Sequence, residues 1–152
     1  MDKIIAGSLV GLGAGIVIGI ISFGLYMLNI CQMCLIAIGG GVLWQEMLVS
    51  NAPLSWILIG WITHLIISGL LGVFIIYVLY LTGWDFALLK GLLIGTAFWF
   101  IDIVFISSLA GYISRTANPV DLLIILAYHM LYGILAAWLL VRYVKPTFSP
   151  NS

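Results

Sequence analysis

Apolar residues fill this chain in long blocks that polar residues interrupt only briefly, and the blocks predict its elements. Four of them reach the roughly 20 residues that a helix needs to cross a bilayer core of about 30 Å. They span about residues 4–28, 56–81, 88–112 and 120–143. The first follows Lys3 and so has the outline of a signal peptide. It is long, glycine-rich and without a small-x-small cleavage site, which predicts a retained span.

The stretch between the first two blocks, residues 31–53, reads "CQMCLIAIGGGVLWQEMLVSNAP". It is apolar from Leu35 to Leu43, yet it contains Gly39-Gly40-Gly41 and then Glu46. Basic residues arbitrate, because they gather on the cytoplasmic side. With four spans, Lys3, Lys90, Arg142 and Lys145 share one side and Arg115 lies opposite; a fifth span would divide them three to two. The expectation is therefore four helices in the cell membrane with both termini cytoplasmic, and an outer segment over 31–53 that is interfacial or re-entrant. Trp56, Trp84, Tyr112 and Tyr143 fall near span ends, where interfacial aromatics concentrate.

Composition agrees with this layout. Of 152 residues, 64% are hydrophobic and 7% charged, and the mean hydropathy is +1.30. Soluble domains carry about 45–50% apolar and about 25% charged residues, so the lipid bilayer is the first partner to expect. The net charge is zero and no basic run exists, which leaves nucleic acid without an electrostatic footprint. Length allows one transmembrane domain over 1–152, an all-α integral membrane four-helix bundle. Seventeen glycines sit inside the apolar blocks, where small residues let helix backbones approach closely. Gly7, Gly11, Gly15 and Gly19 form three overlapping G-x-x-x-G pairs in the first span, a glycine zipper, and Gly91 and Gly95 form another in the third.

Those motifs also suggest an internal repeat. "AGSLVG" (Ala6–Gly11) resembles "KGLLIG" (Lys90–Gly95), and "THLIISG" (Thr63–Gly69) resembles "YHMLYG" (Tyr128–Gly133) with one residue fewer. Spans one and two would then run parallel to spans three and four, an architecture common among transporters and also found in bundles that transport nothing.

One residue breaks the apolar rule most sharply. Asp102 stands within "GTAFWFIDIVFI", where a carboxylate costs roughly 2.5–3.5 kcal/mol on insertion scales. It shares a helix face with Gly91 and Gly95, the small side of the third span. His64 in the second span lies on a face with Gly60, Ser68 and Gly72, and His129 in the fourth lies with Gly133 and Ala136. Both histidines fall about nine residues inside their spans, near 13 Å at 1.5 Å per residue, and Asp102 reaches a similar depth from the outer end. The expected functional cluster is therefore His64, Asp102 and His129. A plainer role is equally open, in which a buried carboxylate hydrogen-bonded to histidine only fixes helix register. The sharper role is handling of protons or a cation. A divalent metal on the three side chains, or haem b held axially by the two histidines, are the cofactor alternatives; no cofactor is assured.

Cys31 and Cys34 form a C-x-x-C outside the first span, a candidate redox dithiol, disulfide or soft-metal site, with Met27 and Met33 near enough in sequence to extend it toward Cu(I). The placement resembles quinone-coupled thiol oxidases of the DsbB type, four-helix membrane proteins with C-x-x-C in the first outer segment. Those enzymes use a second outer cysteine pair, which the loop over 111–119 lacks. A small apolar cysteine pair with no chemistry is the plain alternative.

"KGLLIGTAFWFIDIVF" followed by "HMLYGILAAWLLVRY" resembles small four-helix bacterial membrane proteins of the YqhR kind, which share a "GLLxGxxxW" third helix and an "LYG" fourth. The resemblance covers the last two spans and the layout. It implies no activity and no site residues.

No nucleophile motif, phosphate loop or nucleotide fingerprint is present, so the balance is against an enzyme. Three classes stand: a transporter-like protein using the Asp/His layer, a non-enzymatic subunit or regulator that packs against a second copy or a membrane partner, and a quinone-linked thiol-redox protein.

Overall fold

A computed structural model describes residues 2–30, 35–41, 54–103 and 118–148, and all of its regular structure is helical. The apolar blocks form α1 (Lys3–Met27), α3 (Leu54–Thr82), α4 (Ala87–Phe100) and α5 (Pro119–Leu139), and the 31–53 segment contributes α2 (Leu35–Gly41). A π-helical turn over Leu140–Val144 joins α5 to α6 (Lys145–Phe148). Three of these helices are long and apolar enough to cross a membrane: Lys3–Met27, Leu54–Thr82 and Pro119–Val144. The first is 25 residues long, about 37 Å at 1.5 Å per residue. α4 is described for 14 residues and continues as a π turn over 101–103; the rest of the predicted 88–112 span lies outside the described residues.

Local chemistry sets the helix ends. The Asp2 carboxylate accepts hydrogen bonds from the backbone N–H groups of Ile4 and Ile5 at 2.8 and 3.1 Å, capping α1. At its other end Asn29 takes a left-handed φ of 56°, while Asn29 N–H donates to Tyr26 O and Ile30 N–H to Leu25 O. That pair of bonds is a Schellman stop, with asparagine in place of the usual glycine. Asn118 caps α5 through Val120 N–H at 3.0 Å, with Pro119 in the first turn where a missing N–H costs nothing. The span expected over 120–143 is found as Pro119–Val144, and beyond it the helical path reaches Phe148 through Pro146. Proline clashes with the carbonyl four residues back in an α-helix, and the widened turn over Leu140–Val144 relieves that clash.

Large aliphatic side chains cover the outside and small ones fill the inside. Leu9, Ile20, Leu70 and Leu123 are all at least 60% exposed, whereas Ala14, Ser22, Ala136 and Ala137 are fully buried. This inverts the soluble pattern and is compatible with a multi-pass membrane protein.

The helices associate as two antiparallel pairs. α1 packs against α3, and α4 against α5. A Cβ placed on Gly7 would lie 2.7 Å from the Val73 Cα, and one on Gly11 would meet Ser68 O and lie 2.9 Å from the Gly72 Cα. In the second pair, a Cβ on Gly91 would collide with Gly133 O, and one on Gly95 with His129 O. Backbone lies on backbone in both crossings, which only glycine permits. Matched by contact, Gly7 over Gly72 corresponds to Gly91 over Gly133, and Gly11 over Ser68 to Gly95 over His129. The structural counterpart of His129 is thus Ser68, one helical turn from the His64 that the sequence similarity suggests.

α2 packs inward along α1 and α3. Its Leu35, Ile36 and Ile38 are buried, and the Leu35 N–H donates to the buried Ser22 hydroxyl at 2.9 Å. Gly39 lies against Gly60 O and His64 N, with 3.2 and 3.3 Å to a Cβ placed there. Because α1 and α3 are antiparallel, the chain leaves α1 and joins α3 at the same end of the bundle. The rest of the 31–53 segment, Cys31 and Cys34 included, lies outside the described residues.

Candidate functional site

The two pairs lean together around a cavity of about 250 Å³. Every one of α1–α5, with the turn that follows α4, contributes to its wall: Ile18, Leu35 and Gly39, His64, Phe98 and Asp102, and His129 among them. The cluster expected from sequence is thus brought to one cavity, and apolar side chains make up most of the remaining lining.

His64 and His129 each stand ten residues after the first residue of their helix, Leu54 and Pro119. His64 reaches across to α1, where its Nε2 lies 3.0 Å from Gly15 O. Gly19 makes room for the ring, for a Cβ there would lie 3.2 Å from that nitrogen and 2.7 Å from the Trp61 ring. Trp61 meets the His64 ring edge-on at 6.1 Å between centroids. A carbonyl accepts and cannot donate, so the His64 proton is assigned to Nε2, which leaves Nδ1 as an acceptor. His129 bonds within its own helix, Nδ1 to Ile125 O at 2.9 Å. By the same argument Nδ1 carries its proton and Nε2 is the acceptor.

Asp102 is half-buried in the π turn that follows α4. Its charge is felt at His129, and His129 in turn interacts electrostatically with His64, so the order through space is Asp102, His129, His64. No hydrogen bond from a described residue reaches the Asp102 carboxylate. Among the described residues no group of three His, Cys, Asp or Glu side chains could hold a metal ion.

Sequence reasoning missed two aromatic members of the wall, Tyr128 and Tyr132. They sit four residues apart on α5, one turn of the same face, flanking His129 in the "YHMLYG" stretch. Tyr132 is buried, and its hydroxyl donates to Ser68 O at 2.5 Å, with Gly11 O at 3.5 Å. This bond ties α5 to the α1/α3 pair where the glycine crossing leaves carbonyls accessible. Asp121 is a further buried acid, in the first turn of α5, where the helix dipole favours an anion.

The glycines singled out in sequence lie at the pair crossings: Gly7, Gly11, Gly15 and Gly19 face α3, and Gly91 and Gly95 face α5. At the opposite end of the bundle from α2, Lys3 Nζ sits 3.8 Å from the Tyr80 ring centroid and 5.6 Å from that of Phe148. Lys90 Nζ donates there to Thr82 O and Gly83 O at 3.0 and 2.7 Å, neutralising the carbonyl end of α3. No family model, curated protein or solved structure matches the chain.

Proposed function

We propose that the chain is a four-span protein of the cell membrane that handles protons or a small cation through Asp102, His129 and His64. The apolar block over 88–112 is the fourth span, and both termini are cytoplasmic. Lys3, Lys90, Arg142 and Lys145 at one end of the bundle support that orientation; Arg115 lies outside the described residues. The observation that carries the functional reading is the Asp102 carboxylate itself. It shares one cavity wall with His129 and His64, three ionisable side chains in a mostly apolar lining, and an ionisable residue within a membrane span is by default a functional one.

Two measurements test the proposal. Single cysteines at positions 2 and 151, in a background lacking Cys31 and Cys34, are labelled from the cytoplasmic side alone; labelling from opposite sides refutes the topology. Infrared spectroscopy of the purified protein shows a carboxyl band that titrates with bulk pH and is absent from Asp102→Asn. A band that never titrates removes proton handling. Asp102→Asn folds normally and loses activity under this reading, whereas a register-fixing role tolerates Asn and is disrupted by Asp102→Leu.

A further inference from the structure

We infer that the cavity takes a small lipophilic amine in its protonated form, with the ammonium at Asp102 and the hydrocarbon against the apolar wall. The inference deepens the cation reading above and rests on it.

Size comes first. An apolar cavity of about 150 Å³ accommodates benzene, so about 250 Å³ suits roughly ten non-hydrogen atoms. An inorganic cation fits the wall poorly. Calcium and magnesium demand about six or more oxygen ligands. Here one carboxylate faces side chains such as Ile18, Leu71 and Phe98, and no metal-holding group of three exists among the described residues.

Hydrogen-bond polarity then selects the ligand's charge. His64 and His129 commit their N–H groups to Gly15 O and Ile125 O, and the Tyr132 hydroxyl donates to Ser68 O. What these side chains have left to offer is lone pairs: His64 Nδ1, His129 Nε2, the Tyr132 oxygen and the Asp102 carboxylate. The Ser68 and Tyr128 hydroxyls on the wall can donate as well as accept, but the groups left on Asp102 and the histidines are acceptors, and they suit a ligand of donors. An ammonium brings three, while a carboxylate or phosphate brings none. Phe98 and the two tyrosines add aromatic faces, which attract a cation.

Access points the same way. Ile67 and Ile101 line the cavity and are 45% and 43% exposed, so among the described residues the cavity opens sideways between α3 and the turn after α4. That mouth faces the apolar exterior, the phase into which an uncharged lipophilic amine partitions. The neutral amine takes its proton from the Asp102 carboxyl group, which leaves an ammonium beside a carboxylate; His64 of α3, and Tyr128, His129 and Tyr132 of α5 are the other titratable groups on the wall, and α1 and the described part of α2 contribute none.

Equilibrium dialysis of the full-length protein in dodecyl maltoside micelles tests this with phenethylamine, which has the required size. Its neutral analogue ethylbenzene and rubidium chloride serve as controls. Phenethylamine binds, Asp102→Asn weakens it about tenfold or more, rubidium does not compete, and ethylbenzene binds wild type and Asp102→Asn alike and more weakly. Retained ethylbenzene binding guards against a folding defect in Asp102→Asn, and Ile67→Trp, which narrows the mouth and leaves every polar group in place, lowers the binding of both ligands. Equal binding of the amine by wild type and Asp102→Asn overturns the inference, as does displacement by rubidium. Failure of phenethylamine to bind a protein whose Asp102 carboxyl band still titrates overturns the amine inference alone. A band that never titrates, together with rubidium and phenethylamine both failing to bind, overturns the reading beneath it.

Discussion

Replacing Gly133 with alanine adds one methyl group at the α4/α5 crossing, and the consequence follows from distances. The new Cβ would collide with Gly91 O, lie 2.8 Å from the Gly91 carbonyl carbon and 3.2 Å from Gly95 N. Carbon atoms are comfortable at about 3.5–4.0 Å, so the helices must part by about 1 Å, and a gap of that size forfeits up to about half of each contact's dispersion energy. Overpacking costs about 1–3 kcal/mol in general. The upper end applies because the obstructing atoms are backbone and have no rotamer to change. Helix propensity returns about 1 kcal/mol on exchanging Gly for Ala, leaving a net loss of about 2 kcal/mol. Gly13 supplies the control. Nothing lies within 4 Å of a Cβ placed there, so Gly13→Ala keeps the propensity gain and meets no obstacle. The two variants, identical in chemistry, should differ by about 3 kcal/mol. Unfolding by SDS in mixed micelles, followed by far-ultraviolet circular dichroism, measures both. Coincident midpoints for Gly133→Ala and Gly13→Ala would refute the backbone-contact account of the pair.

Tyr132→Phe removes the hydroxyl that donates to Ser68 O and is expected to lower stability in the same assay by about 0.5–1.5 kcal/mol, an ordinary hydrogen bond's worth. Asn118→Ala uncaps α5 and should cost about 1 kcal/mol; an unchanged midpoint would mean the cap is replaced by solvent. Replacement of both Cys31 and Cys34 by serine should leave insertion, folding and amine binding intact, and a severe loss of binding at normal expression would assign the pair a role.

Much of the helical layout was legible because membrane-length apolar blocks have few alternatives. The predicted 4–28 and 56–81 spans became Lys3–Met27 and Leu54–Thr82, within two residues at each end. Glycine spacing pointed to the faces that α1 presents to α3 and α4 to α5, since a four-residue period can only be one stripe of a helix. The meeting of His64, Asp102 and His129 was legible from depth along the chain, because rise per residue converts position to height. Tyr128 and Tyr132 escaped notice for a physical reason. In an apolar segment tyrosine reads as bulk, and only the position of Ser68 O reveals that one hydroxyl bridges the pairs. α2 escaped as well, because seven residues cannot declare from composition alone whether they lie on a bundle or pack into it. At the other end, the apolar block stops near Tyr143, and the π turn that carries the helix on to Phe148 has no signature of its own.

Where Gly7 and Gly11 cross Gly72, and Gly91 crosses Gly133, backbones touch directly, with no layer of side chains between them to repack. Sliding one packed helix past another ordinarily proceeds by small rotamer adjustments at the contact. Main chain against main chain offers none, so α1/α3 and α4/α5 behave as two stiff bodies. The seam between them is of another kind: a cavity, the side chains of one apolar core to which both pairs contribute, and the Tyr132 hydroxyl. Mechanical compliance is therefore concentrated in one plane of the molecule. Rocking of the pairs about that seam would change the volume around Asp102 while both glycine crossings stay shut.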